Sequence, residues 1–312
     1  MRIAFLISAF TDPQHLRRLI NALDSEESVF FVHIDRKVDE QPFMRMCNAN
    51  NVHFLENRVN VYWGTYSQVE FQMRLISEAL QAYDDFDFLF MLSGQDYPLW
   101  GIKRIKRYLE SLQGAELLSA IRIDCQEVEE RHKKIYRQFR PQTDWKWISP
   151  KLNDWLSKCW RKAARAIGLS KPLSFDVDGQ EWHLYKGSDY FCLSRRLAEY
   201  VLEQWESNPE IKRYFESSFA PSETCIQTIA FNSPEFRDKA DLHTGPYTTL
   251  KDVTRLHHID YVPVIRIWRE GDFTELQESG KMFARKFATG ISDTVLDMID
   301  EVAYRKNDIA TY

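Results

Sequence analysis

The feature that most limits what this chain can fold into is the alternation along its first 123 residues. Short apolar runs alternate there with longer segments whose apolar residues recur every three or four positions. An apolar run too short for a helix, then a helical stripe, then another such run, describes strand, helix and parallel strand. Strands covered on both faces read as continuous apolar runs. RIAFLI (Arg2 to Ile7) is the first such run. Asp12 followed by Pro13 supplies an N-cap with proline at the first helical position, and Leu16, Leu19, Ile20 and Leu23 then fall on one face. SVFFVHID returns as a strand. NVHFL, a helix striped by Val69, Met73, Ile76 and Leu80, the strand FDFLFML, the helix GIKRIKRYLESL and the strand AELLSAIRI continue the pattern. The expected fold is α/β, with a mostly parallel central sheet and helices on both faces.

Ligands of such sheets bind beyond the carboxyl ends of the strands. Two polar segments are predicted there: HIDRK (His33 to Lys37) and SGQDYPL (Ser93 to Leu99). From about residue 124 the alternation gives way to a charged, Trp-rich stretch, EVEERHKKIYRQFRPQTDWKWISPKLNDWL, expected to form helices and long loops. EWHLYKGSDYFCLSRRLAEYVLEQW then reads as a strand feeding a helix capped by Ser194. In YFESSFAPSETCIQTIAFNSPEF, Ser222 reads as a helix cap with Glu223 in the first turn, where a carboxylate complements the helix dipole. The chain closes with HHIDYVPVIRIW, MFARKFATG and the amphipathic SDTVLDMIDEVAYR.

Charge and cysteine usage exclude several classes. A net charge of -5, from 41 basic and 46 acidic residues, leaves no footprint for nucleic acid. The basic clusters IKRIKRYLE and RRLAEYVLE alternate with Ile and Leu at helical spacing, as solvated helix faces do. Five cysteines lie scattered without paired spacing, which points to a reduced, cytoplasmic chain. MRIAFLISAF is too short to cross a bilayer and has no cleavage site, so any membrane service is expected from the surface, through a lipid-linked acceptor at the inner face. Two acidic pairs, Asp85 with Asp87 and Asp176 with Asp178, read as turns rather than metal sites: the first precedes its strand, and DVDG is an Asx-rich turn. His257 and His258 of HHID keep a metal-dependent alternative open.

Six segments in order, FFVHIDRK, VYWGTYSQVE, FLFMLSGQDYPL, LYKGSDYFCLSRR, PSETCIQTIAFNSP and SGKMFARKF, resemble the core-2/I-branching glycosyltransferase family, which includes β-1,6-N-acetylglucosaminyltransferases and peptide O-xylosyltransferases. The resemblance implies a GT-A-like nucleotide-sugar fold over one domain, 1–312, with residues 1–123 as nucleotide-binding half and 124–312 as acceptor and catalytic half. It implies an inverting transfer of GlcNAc or xylose from a UDP-sugar to a glycan hydroxyl, in surface polysaccharide assembly, with no cofactor and no metal. Family members carrying membrane anchors and disulfides differ from this chain, which is similar to bacterial members.

The family's base is the glutamate of a Pro-Asp-Glu motif, which falls on Glu223, with Ser222 replacing the aspartate. Inverting transfer needs one such carboxylate near the acceptor hydroxyl. Lys286 matches the phosphate-contacting lysine, with Arg285 beside it as helper. The second basic residue lies in a stretch offering Arg255, His257 and His258; Arg255 is chosen because it stays charged at neutral pH. Asp35, after a strand end, is by resemblance a nucleotide contact, and Asp96 is expected beside the donor sugar. EERHKKIY resembles a family stretch near the acceptor, making Glu130 and Arg131 acceptor candidates along with Lys134, while Trp182, Tyr185 and Tyr190 are aromatic faces for the sugar. Trp63 and Gly64 match the family's Trp-Gly pair. A second function class, a nucleotide-sugar or carbohydrate-binding protein without turnover, is motivated by the Ser222 departure.

Overall fold

A computed structural model describes residues 1–140, 149–261 and 264–308. In chain order the elements are β1 (Arg2–Ala9), α1 (Pro13–Leu23), β2 (Ser28–Ile34), α2 (Gln41–Met46), β3 (Val52–Phe54), α3 (Ser67–Ala82), β4 (Phe86–Ser93), β5 (Asp96–Pro98), α4 (Ile102–Glu110), β6 (Ser119–Arg122), α5 (Glu130–Tyr136) and α6 (Pro150–Ala166). There follow β7 (Ser174–Val177), β8 (Gln180–His183), β9 (Tyr185–Gly187), β10 (Cys192–Ser194), α7 (Arg195–Ser207), α8 (Pro209–Phe215), α9 (Cys225–Asn232) and α10 (Pro234–Arg237). The last are β11 (Asp241–Leu242), β12 (His257–Ile259), α11 (Phe273–Glu278), β13 (Phe283–Arg285) and α12 (Asp293–Asp308).

The central sheet runs β10-β4-β1-β2-β3, with β4, β1, β2 and β3 parallel and β10 antiparallel at one edge. The α/β expectation with a mostly parallel sheet holds. Alternation along β1 sends Ile3, Phe5 and Ile7 into one apolar core with α1, and Ala4 and Leu6 into a second core with α3. Phe5 is level with Phe30 and Phe90, and its ring stacks on theirs at 5.3 and 5.6 Å.

Two of the three predicted caps are present: Asp12 accepts from His15 N–H (3.0 Å) and Ser194 from Leu197 N–H (3.1 Å). Asp178 and Gly179, both at positive φ, make the two-residue turn between β7 and β8, with Gly179 N–H bonded to Asp176 Oδ1. Asp85 and Asp87 both bind Arg2 at the amino ends of β4 and β1, away from the ligand end of the sheet.

AELLSAIRI departs from expectation. Only Ser119–Arg122 is strand, and it joins β11 and β9 in a separate three-stranded sheet. The edge beside β4 belongs instead to β10, from far downstream. Glu116 is buried where AELLSAIRI begins, and its carboxylate accepts from Ser194 N–H (3.0 Å) and Ser194 Oγ (2.5 Å) at the β10–α7 junction. The downstream segment therefore docks where a fifth parallel strand would have paired. Among the described residues, no helix is long and apolar enough to cross a membrane. Residues 141–148 of the predicted acceptor stretch lie outside the described residues.

Candidate active site

After β4 the chain turns tightly through Gly94, whose N–H reaches Ser8 O (2.8 Å) and where a Cβ would come within 2.7 Å of the Ala9 Cβ. That turn delivers Asp96 into β5, directly opposite Arg285 on β13, which in turn pairs with β12. Asp96 is fully buried and its charge is balanced by the protein itself. It accepts from Ser93 N–H (2.7 Å), Arg285 Nη1 (3.0 Å) and the His257 ring at Nε2 (3.1 Å), while its carbonyl accepts from His15 (3.0 Å). Burial alone would raise the Asp96 pKa; His257 and Arg285 outweigh it and hold the carboxyl below the ordinary range. Arg285 resists burial in the same way, kept above its ordinary value by Tyr190, Asp96 and Asp189. Among the described residues its Nε has no partner, and its guanidinium lies 5.3 Å from the Tyr190 ring centre.

A second cluster faces this one. Lys186, in the middle of β9 and buried, donates from Nζ to Glu223 Oε2. The side chains of α9 fix the distance between their backbones: Tyr185 N–H donates to Thr228 Oγ1 (3.1 Å), Gln227 Nε2 to Ser188 O (2.6 Å) and Asn232 Nδ2 to His183 O (2.8 Å). Gly187 is required by this approach, since a Cβ there would sit 2.3 Å from Ser119 O and 2.9 Å from Gln227 Cγ. Burial works against the Lys186 charge, yet Glu223, Tyr136 and Tyr247 carry its pKa well above the ordinary lysine value. Between the clusters stands Asp189. Desolvation first, then the Glu223 charge, push its carboxyl up to about 7 against the pull of Arg285.

Not every predicted residue arrives there. Glu223 does, but Ser222 does not cap a helix: both lie in a short 3-10 turn, Pro221–Glu223, and α9 starts two residues later without a side-chain cap. Asp35 is buried at the end of β2, where its carboxylate accepts from Lys37 N–H (3.0 Å) and Val61 N–H (3.4 Å) and pairs with Lys37 Nζ (3.3 Å). Lys286 is half-buried next to Arg285, and among the described residues its Nζ takes no hydrogen bond or ion pair. Arg255 lies at the opposite end of the β12–β13 pair, four residues or about 13 Å along the strands from the level of Arg285. It faces Asp241 at 3.6 Å. Of the basic candidates in that stretch, His257 is the one brought into the cluster.

The acceptor candidates are corrected more sharply. Trp182 and Tyr185 are buried in the core, with Trp182 against Phe175 and Tyr185 stacked on Phe231 at 5.2 Å, so neither offers a face to a sugar. Glu130 pairs with Lys133 and Arg137, and Arg131 with Glu129, on the solvent side of α5. The residue of α5 that meets the site is Tyr136, over whose ring Lys186 Nζ lies at 5.4 Å. Trp63 is exposed and packs edge-on to Phe219, while Gly64 O accepts from Ala220 N–H (3.1 Å) on the approach to Glu223.

His257 and His258 alternate across β12, one engaged by Asp96 and the other by Glu275 (3.0 Å), so they cannot share an ion. Among the described residues no three His, Cys, Asp or Glu side chains are grouped to hold one. Lys186 and Asp189 escaped the sequence reading although KGSD was in view; the available signal was a lysine inside an apolar strand, next to a glycine.

The Lys186–Glu223 and Asp96–Arg285 pairs gather with Asp189 at the end of an α/β sheet where ligands of such folds bind. Residues 3–276 match the family described as Core-2/I-Branching enzyme, and the chain belongs to that family. Xylosyltransferase 2 of Rattus norvegicus is 24% identical over 315 residues, covering 96% of this chain and 33% of its own. Xylosyltransferase oxt of Drosophila melanogaster is 23% identical, covering 97% of this chain and 34% of its own. The chain thus spans about a third of the length of these relatives. Among solved structures, a glycosyltransferase involved in the glycosylation of the major capsid of PBCV-1 aligns with a TM-score of 0.35 at 10% identity, over 97% of this chain and 100% of its own.

Proposed function

We propose that this protein is a glycosyltransferase moving xylose or GlcNAc from a UDP-sugar to a glycan hydroxyl, with inversion and without a bound metal ion. The observation that carries the reading is the facing of the Lys186–Glu223 pair and the Asp96–Arg285 pair across Asp189. In the transfer, the acceptor hydroxyl gives its proton to a carboxylate while its oxygen bonds to the anomeric carbon and the bond from that carbon to the diphosphate oxygen breaks. Glu223 is the base, held in place by Lys186. Charge growing on the leaving UDP is met by Arg285, whose Nε has no partner among the described residues, and by Lys286, whose ammonium has none among them either. Xylose is favoured by the names of the relatives; the family also contains GlcNAc transferases.

A second reading exchanges the carboxylates. Glu223 is already engaged by the Lys186 ammonium, whereas Asp189 has the near-neutral pKa suited to a general base. Here Asp189 takes the proton and Glu223 with Lys186 sets its pKa. The test of the function is UDP release from a panel of UDP-sugars with a mixed glycan acceptor pool in excess EDTA. Release identifies the donor and supports transfer without metal. Release only after Mn²⁺ is added overturns the metal-free part, and UDP binding with no release under either condition overturns catalysis in favour of a binding protein.

A further inference from the structure

Helix α6 presents an apolar face that the described residues leave largely exposed, with Trp160 edge-on to Phe139 at 6.4 Å. Leu152, Trp155, Leu156, Cys159, Trp160, Ala163 and Ile167 recur at three- and four-residue spacing and fall on one side of the helix and its continuation. This is the pattern of a helix that packs on a core, but the exposures say otherwise: Leu152 is 47% exposed, Trp155 58%, Trp160 41%, Ile167 78% and Leu169 44%. Five of the chain's exposed large apolar side chains thus gather within 18 residues, whereas single exposed ones are ordinary on any surface.

Charge says what covers that face. The α6 sequence has five basic residues, Lys151, Lys158, Arg161, Lys162 and Arg165, against one acidic, Asp154, in a chain whose net charge is -5. The positive charge is therefore segregated onto the same element as the apolar stripe. Lys158 and Lys162 are exposed. By helical angle they lie along the edge of the stripe next to Trp155, where their stems can follow an apolar surface while their ammonium groups stay in the polar layer. A protein partner would need only a matching apolar surface; a basic amphipathic helix with tryptophans on its apolar face and lysines at its border matches the interface of an anionic bilayer. At 17 residues with five basic side chains, α6 suits lying in that interface and not crossing it.

We infer that α6 and the residues to Leu169 form a docking surface for anionic lipid headgroups, with the helix lying in the membrane plane. The return from α6 is tied to the stretch that leads to Glu223: Lys171 N–H donates to Arg137 O (2.9 Å), and Lys171 Nζ donates to Ser217 Oγ (3.0 Å) and to the Tyr214 carbonyl. Docking through α6 therefore holds the Glu223 side of the molecule to the lipid surface, independently of which sugar is transferred.

Flotation of the full chain with vesicles tests this. Binding is expected to vesicles of phosphatidylcholine containing phosphatidylglycerol, to fall steeply with added salt, and to be absent with phosphatidylcholine alone. Trp155→Ser combined with Ile167→Ser, and separately Lys158→Glu combined with Lys162→Glu, should each reduce flotation at least tenfold while leaving the thermal midpoint unchanged, because these side chains are exposed. Failure of the parent chain to float, equal flotation on neutral vesicles, or full flotation of either variant overturns the proposal. So does self-association of the parent chain that Trp155→Ser with Ile167→Ser abolishes in the absence of vesicle binding, which would make the face a contact between copies.

Discussion

Lys186 and Glu223, 37 positions apart, meet as a buried ammonium donating to a carboxylate whose side chain keeps 23% of its exposure. The lysine is sealed inside β9, so its charge persists chiefly because Glu223 balances it, and Glu223 is correspondingly fixed in one place. Lys186→Met leaves a half-buried carboxylate without its partner. The expected cost is about 3 kcal/mol, the lower end for one-sided loss of a buried pair because Glu223 retains some solvent. Urea unfolding measures it; an unchanged midpoint would mean the pair contributes nothing to the fold.

Glu223→Gln should retain the fold and lower kcat by about 10²-fold to 10⁴-fold, the range for removing a general base, with UDP affinity nearly unchanged. Asp189→Asn should then lower kcat by less than about tenfold. If the two variants exchange behaviour, with Asp189→Asn inactive and Glu223→Gln merely shifted in its pH profile, Asp189 is the base.

Stability should also report on Asp189. Its folded pKa, about 7, lies above the ordinary 3.8, so between roughly pH 4 and 7 the native protein binds more protons than the unfolded chain. This contribution is fully present below pH 4 and is lost as pH rises through about 7. Asp189→Asn should therefore flatten the wild-type fall in thermal midpoint between pH 5 and 8, with the variant the more stable of the two at pH 8. The buried Lys171, whose pKa is pushed down to about 7, has its opposite effect above that window, so the comparison between variant and parent isolates Asp189.

Asp96→Asn removes the counter-charge from Arg285 and the carboxylate partner of His257 at a fully buried position. A loss of about 3–5 kcal/mol is expected, as for breaking a buried pair on one side. Arg285 should also lose its fixed direction, weakening UDP binding measured by calorimetry. Weakened stability with unchanged UDP affinity would assign Asp96 to the fold alone.

Much of the frame is legible in the residues. Apolar runs and helical stripes determined β1 through β4 with α1 and α3, though not the short α2, Asp12 and Ser194 announced their helix starts, and Asp178-Gly179 announced its turn, since each is a local matter of periodicity or backbone geometry. Family motifs placed Glu223, Asp96 and Arg285 among the site candidates. What a local pattern does not carry is partnership. The sequence of AELLSAIRI states that it is apolar, but not that Ser194 and β10 claim the place beside β4 through Glu116. Aromatic character made Trp182 and Tyr185 sugar candidates, but strand direction turned them into the core. Arg255 was preferred for its charge; strand register left it two residues ahead of β12 and brought in His257. Lys186 and Asp189 acquire their chemistry from burial and from a charge on a turn more than thirty residues away. A side chain's water-borne properties are fixed by its identity, whereas desolvation and Coulomb terms depend on which distant atoms folding sets beside it, and that only the tertiary structure decided.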